Sequence, residues 1–257
     1  MALKRKRQPF SKLSIKEKLK RISKFILGAI VFITLPSLLF FGFIYLKYNE
    51  PFPTGIESPK ADVLANKMLE ALNYEAYKKT DYIEWTFKNR NSYKWFKSAD
   101  SCEVKWKNFR VMLQLKNTNN SSVFVGNMPY NGVDKQKLIQ KAESYFNNDS
   151  FWLVAPYKVF DKGTKRQLVK NKDKTESLLI TYKLGGTTPG DSYLWHVNEN
   201  GMPKSFQMWV DIIPIGGLEA SWSDWKTTKS GAKLPTLHQL PFFGLEITNI
   251  STFYRKN

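Results

Sequence analysis

Residues 81–89 read DYIEWTFKN, and their pattern decides the fold class. Ile83, Trp85 and Phe87 alternate with Glu84, Thr86 and Lys88, the two-residue period of a strand with one dry and one wet face. The pattern recurs in Tyr93-Trp95, Val104-Trp106, Val111-Leu113-Leu115 and Val123-Val125, with Lys88, Lys94, Lys105 and Lys107 on the opposite face. Short alternating runs at regular spacing predict an antiparallel meander. Further runs are FWLVAP (151–156), KRQLVK (165–170), ESLLITY (176–182), SYLWHV (192–197), KSFQMWV (204–210) and LEASWSDWK (218–226). The segments between them hold Asp-Lys-Gly, Gly-Gly at 185–186, Pro-Gly-Asp, Asn-Glu-Asn-Gly and Ile-Gly-Gly, which are turn chemistries. With a last strand over 242–253, the expectation is about ten or eleven strands in one strongly twisted antiparallel sheet.

Upstream of this pattern the period is 3.6. Ser58-Pro59 reads as an N-cap with proline at the first helical position, and a helix to about Lys78 carries Ala61, Leu64, Ala65, Met68, Leu69 and Leu72 on one stripe. A second helix is expected from about Val133 to Asn147, with Leu138, Ala142, Tyr145 and Phe146 inward and Asp134 near its positive end. The fold class is α+β.

Further upstream, residues 25–46, FILGAIVFITLPSLLFFGFIYL, contain no charge. At 1.5 Å per helical residue they reach about 33 Å, enough for a hydrocarbon core of about 30 Å. A buried helix of a soluble protein rarely runs so long without a polar outward face. A cleaved signal has a shorter apolar stretch and a small-residue exit, whereas this one leaves through Ile44-Tyr45-Leu46-Lys47-Tyr48, so an uncleaved signal anchor is expected. Pro36 is expected to kink it, which membrane helices tolerate. Residues 1–24 hold ten Lys or Arg against Glu17 alone, while KYNEPFPTGIESPK after the span is balanced. Cationic flanks stay inside, which predicts a basic cytoplasmic tail over 1–24 and a single pass through the inner (cytoplasmic) membrane. The division continues as a linker over 47–58 and an extracytoplasmic (periplasmic) domain over 59–257. Half of the formal charge of +18 is thus a topology signal. This argues against reading the chain as a nucleic-acid binder, and the tail suits anionic lipid headgroups instead.

Chemistry-bearing motifs are sparse. Cys102 is the sole cysteine, which excludes an intramolecular disulfide, and it is expected to be a half-buried strand residue. His196 is expected at a strand rim, His238 stands far from it, and no metal-ligand spacing appears. Asp211, Glu219 and Asp224 cluster in sequence without a recognisable acid–base pattern. No cofactor, metal or catalytic residue is expected, and the chain is read as a non-enzyme. The prominent feature is aromatic: eight Trp, spread over most strands. Such residues either fill a core or line an apolar cavity. The lining candidates are Trp85, Phe87, Trp95, Trp106, Leu113, Trp152, Ile180, Trp195, Trp209 and Trp222.

The order of helix, DYIEWTFKN strand, meander, middle helix and FWL-x-x-P-x-x-x-x-D, with Phe151, Trp152, Pro156 and Asp161, resembles the periplasmic lipoprotein-localisation carriers from about Ser58 to Tyr254. The resemblance implies a highly curved, half-open antiparallel sheet with helices on its concave side and a lipid or lipoprotein cargo in the hollow. A shuttle cannot keep a membrane helix, and the lone Cys102 offers no lipid anchor. The implied protein is therefore a fixed, membrane-tethered relative that binds a lipid, lipoprotein or other hydrophobic envelope ligand. The alternative is an envelope interaction or scaffolding domain with a packed core and no ligand.

Overall fold

A computed structural model describes residues 14–185 and 188–254. Residues 1–13 of the basic tail, Gly186 of the Gly-Gly pair and the last three residues lie outside the described residues. The chain divides into a unit over Met1–Asn49 and a unit over Glu50–Asn257.

Among the described residues of the first unit there is one helix, α1 (Ile15–Tyr48). It starts ten residues before the apolar run, because Ser14 and Glu17 form a capping box: each side chain bonds the other's backbone N–H. Thr34 and Ser37 return their hydroxyls to the Ile30 and Ile33 carbonyls, so neither presents an unmet donor. The helix is long and apolar enough to cross a membrane, and Phe25, Phe32 and Leu46 are exposed.

The second unit begins with α2 (Pro59–Ala71) and α3 (Tyr74–Lys79). The stripe expected on α2 is buried, apart from the partly buried Leu64. The single helix expected to Lys78 is broken, however. Asn73 takes a left-handed conformation (φ 60°) and its side chain accepts the Ala76 N–H, restarting the helix as α3. Pro59 holds the first helical position, but Ser58 makes no side-chain cap bond.

The meander follows as β1 (Thr80–Phe87), β2 (Asn91–Phe96), β3 (Ser101–Trp106), β4 (Phe109–Gln114), β5 (Ser122–Val125) and β6 (Met128–Pro129). After α4 (Lys135–Val154) come β7 (Thr164–Lys170), β8 (Glu176–Tyr182), β9 (Ser192–Val197), β10 (Pro203–Trp209) and β11 (Leu218–Ser221). The chain ends with β12 (Lys226–Thr227), β13 (Lys233–Leu234), β14 (Leu237–Gln239) and β15 (Gly244–Tyr254). The fold is α+β, but the strands form three antiparallel sheets: β14-β15-β1-β2-β3-β4-β5-β6, β11-β10-β9-β8-β7 and β12-β13. The ten or eleven strands expected in one sheet are thus fifteen shorter ones among the described residues. Alternation finds strands but not their partners, and the β12–β13 hairpin interrupts the run between β11 and β14. The two large sheets still meet at a seam: the Ser223 N–H donates to the Leu237 carbonyl at 3.1 Å, and the Gln239 N–H to Ser221 Oγ at 2.8 Å.

Helix α4 is the main correction. FWLVAP is not a strand; α4 runs through Val154 and into a 3-10 turn, Ala155–Lys158. The apolar spacing of Leu138, Ile139, Ala142 and Phe146 continues past Asn147 to Ser150, Leu153 and Val154, all buried. Pro156 then ends the α-helix, since it has no N–H for the Trp152 carbonyl four residues before it. The strand propensity of Phe, Trp, Leu and Val is overridden because this part of the helix is covered on several sides. Phe146 touches both Trp85 (6.4 Å between ring centres) and Trp95 (5.3 Å). Phe146→Ala should therefore cost about 3–5 kcal/mol, the range for a buried Phe, read as a lower midpoint in urea unfolding of the detergent-solubilised chain.

Candidate functional site

The aromatic side chains expected to line a hollow converge on α4 from two sides. On the eight-stranded sheet, Trp85 stacks on Tyr93 at 4.6 Å, Trp95 meets Phe146 edge-on, and Trp106 meets Phe109 and Tyr145. On the five-stranded sheet and the segment after it, Trp195 lies 5.0 Å from Phe206 and 4.9 Å from Trp222, and Trp222 lies 4.4 Å from His238. From α4, Trp152 reaches Phe206 and His238 at 5.4 and 5.2 Å, and Phe151 reaches Tyr193 at 4.7 Å. One helix therefore contacts the aromatic residues of both sheets.

Of the candidates, Trp85, Phe87, Trp106, Leu113, Ile180, Trp195 and Trp222 are buried in one continuous core, and Trp95 and Trp152 are partly buried against it. Trp209 is not with them. It sits with Val169, Leu179 and Leu194 in a separate cluster, made by the strand positions that alternate with the main core. Residues 50–56 lie over that face. The Glu50 N–H donates to Gly216 O at 2.8 Å and Trp209 Nε1 to Glu50 O at 3.0 Å. Phe52 packs edge-on against Trp209, Gln167 Nε2 donates to Gly55 O, and Ile56 pairs with Leu168 through both backbone bonds. The linker expected over 47–58 is therefore docked structure from Glu50 onward. The signal was legible: Leu178-Leu179-Ile180 and Tyr193-Leu194-Trp195 are unbroken apolar runs, which mark strands covered on both faces.

Two polar side chains lie inside the core where the sequence reading did not place them. Asp149, on α4, accepts Asn91 Nδ2 at 2.9 Å, Tyr93 Oη at 2.5 Å and Asn148 Nδ2 at 2.8 Å. Burial pushes its pKa up, against the three donors and the nearby charge of Arg90, while burial and Asp149 push the Tyr93 phenol up. Its position three residues after Phe146 and four before Leu153 placed it on the apolar stripe. His238 is fully buried, and its Nδ1 donates to the Ser221 carbonyl at 3.0 Å. The lone pair is then on Nε2, which has no partner, as is true of Trp85, Trp195 and Trp222 Nε1. Burial lowers the His238 pKa from 6.5 to about 4, although the Ser221 and Trp152 carbonyls act the other way. A three-residue strand is too short for alternation to have placed it.

The other candidate chemistry does not assemble. His196 lies between Ser177 (2.8 Å) and Gln207 (3.3 Å). Asp211 and Asp224 are exposed, and the exposed Glu219 accepts the Ser205 hydroxyl. Cys102 is fully buried, not half-buried. Among the described residues no three His, Cys, Asp or Glu side chains group as metal ligands do. A polar surface cleft of about 530 Å³ lies between the start of α2 and β7, where Lys165–Glu57 and Arg166–Asp62 pair at 2.6 and 2.5 Å. A smaller cleft, about 340 Å³, has Glu84, Lys94, Glu103 and Lys105 along it. None of the aromatic candidates lines either one.

No protein-family model matches this chain, and no curated protein matches it. Among solved structures, a DUF1329 family protein from Desulfovibrio piger is similar, with 10% identity, a TM-score of 0.41, and coverage of 77% of this chain and 95% of that one.

The pKa of His238 gives the core a pH signature. Because the folded value is depressed, the unfolded chain takes up this proton first as pH falls. The contribution is complete above pH 6.5 and is lost as pH falls towards about 4. At 1.36 kcal/mol per unit this amounts to roughly 3 kcal/mol. His238→Gln should flatten that part of the stability–pH curve by a similar amount, measured by urea unfolding at stepped pH, whatever its effect on stability at neutral pH.

Proposed function

We propose that this chain is a membrane-tethered, non-enzymatic interaction module of the cell envelope, whose interior is filled by its own helix. The observation that carries the reading is the position of α4, whose Phe146 and Trp152 pack against aromatic residues of the two large sheets. The aromatic content then serves as core, and recruitment takes place on the surface of the domain. The location belongs to the same proposal. Ten basic residues before an uncharged span support a cytoplasmic N-terminus, with residues 50–257 outside.

A second reading has its own observation. Trp222 packs against both Trp195 and His238, and each of the three carries a buried ring nitrogen without a partner. Leaving such groups unmet costs about 1–3 kcal/mol each, and the polar end of a lipid or lipoprotein ligand would offset that cost. The resemblance to the lipoprotein-localisation carriers supports the same reading, in which α4 yields the hollow to the cargo.

Native mass spectrometry of the full chain released from detergent separates the two. A packed module gives the bare chain mass, and solvent extraction recovers no stoichiometric lipid. A one-to-one lipid adduct that survives release and is lost in Trp152→Ala would overturn the packed reading and name the cargo class.

A further inference from the structure

Four hairpin tips stand side by side along one edge of the eight-stranded sheet. The pairs Phe87–Asn91, Trp106–Phe109, Val125–Met128 and Gln239–Gly244 close them. The cross-pairs Phe87–Ile247, Asn91–Trp106 and Phe109–Val125 make them neighbours. Backbone bonds tie two of the contacts: the Gly126 N–H donates to Asn108 O at 2.7 Å, and the Lys88 N–H to Glu246 O at 2.9 Å.

The tips read KNR (88–90), KN (107–108), GN (126–127) and LPFF (240–243), with three cations and no acid. The connections at the other end of this sheet mix the signs: Lys97 and Lys116 stand there with Asp100, and Lys116 pairs with Asp100 at 2.6 Å. Lys88 and Lys107 open their turns at φ 52° and 49°, a conformation in which Asn or Gly would be less strained, so the turn geometry alone does not call for lysine there. Beside them the large apolar side chains face solvent: Met128 is 73% exposed, Phe242 56% and Phe243 49%, with the Lys88 ammonium 5.4 Å from the Phe243 ring centre. Cations mixed with exposed aromatics are the composition of a surface that seats in an anionic lipid interface.

The covalent chain adds an independent argument. The Glu50 N–H donates to the carbonyl of Gly216, two residues before β11. The Ser223–Leu237 bridge is antiparallel, so it sets the start of β11 beside the end of β14, at this same edge. Helix α1 ends at Tyr48, so Asn49 alone lies in the chain between it and the anchored Glu50.

We propose that this edge docks on the anionic headgroup layer of the bilayer crossed by α1. Phe242, Phe243 and Met128 enter the interfacial layer, and Lys88, Arg90 and Lys107 pair with lipid phosphates. The inference rests on residues 25–46 forming a span, and the test keeps the two apart. The full chain is reconstituted in nanodiscs of phosphatidylcholine with or without phosphatidylglycerol, both containing spin-labelled lipid. A fluorophore is attached at Phe243→Cys, at Lys172→Cys on the opposite end, or at Phe32→Cys within the span. Cys102 is buried and leaves the added thiol as the reactive one. With phosphatidylglycerol, lipid quenching at Phe243→Cys should exceed that at Lys172→Cys by about three-fold or more, and it should fall with added salt. The triple change Lys88→Glu, Arg90→Glu and Lys107→Glu should bring it down to the Lys172→Cys level. Equal quenching at the two ends, no dependence on phosphatidylglycerol, or shielding of Phe243→Cys only by a co-purified protein would overturn the docking proposal. Absence of quenching at Phe32→Cys would instead overturn the span on which it rests.

Discussion

The packing of α4 sets the terms for the rest of the domain. A helix that serves one sheet needs one apolar stripe, but α4 presents Phe146 to Trp85 and Trp95 and, two turns later, Trp152 to Phe206 and His238. Asp149 lies between these contacts and bonds Asn91 and Tyr93 on β2. A carboxylate buried among aromatic rings is costly, and the two donors that reach it from β2 offset that cost only in one register of the helix. The apolar contacts supply most of the burial, and the Asp149 bonds select one rotation and height for the helix. The large sheets are joined directly by only a few bonds at the Ser223–Leu237 seam, so shared packing on α4 carries much of their coupling.

This dependence explains which parts of the architecture could be read from residue order. Wherever one face was dry and the other wet, alternation was sufficient. The meander β1 to β5 follows Ile83-Trp85-Phe87 and its successors, with Lys94 and Lys105 exposed as expected. The errors occur where burial is not one-sided. Residues 151–154 are buried or partly buried on several sides, which erases the helical stripe and leaves a short apolar run that mimics a strand. The break at Asn73 turned on one left-handed residue, which no hydrophobic period records.

The candidate site was legible as a composition more than as a geometry. The tryptophans of the main core were found because large aromatic residues in strands face inward in most sheets. Trp209 was misplaced because the five-stranded sheet is covered on both faces, by the main core on one and by residues 50–56 on the other. Asp149 and His238, two of the buried polar residues, came from a stripe position occupied by a charged residue and from a strand of three residues. Their roles depend on partners distant in sequence, Tyr93 and Trp222, and no local pattern reports such pairs.

The central claim is that α4 is a fixed part of the core and not a removable plug. Hydrogen exchange on the full chain, resolved to residues 146–153 of α4 and to β1 and β9, tests it most directly. If the claim holds, the amides of α4 exchange only through the same global opening as the central strands, with matching protection and matching denaturant dependence. Exchange of residues 146–153 through a smaller opening, while β1 and β9 stay protected, would contradict it and leave the hollow between the sheets as a cavity that the helix vacates.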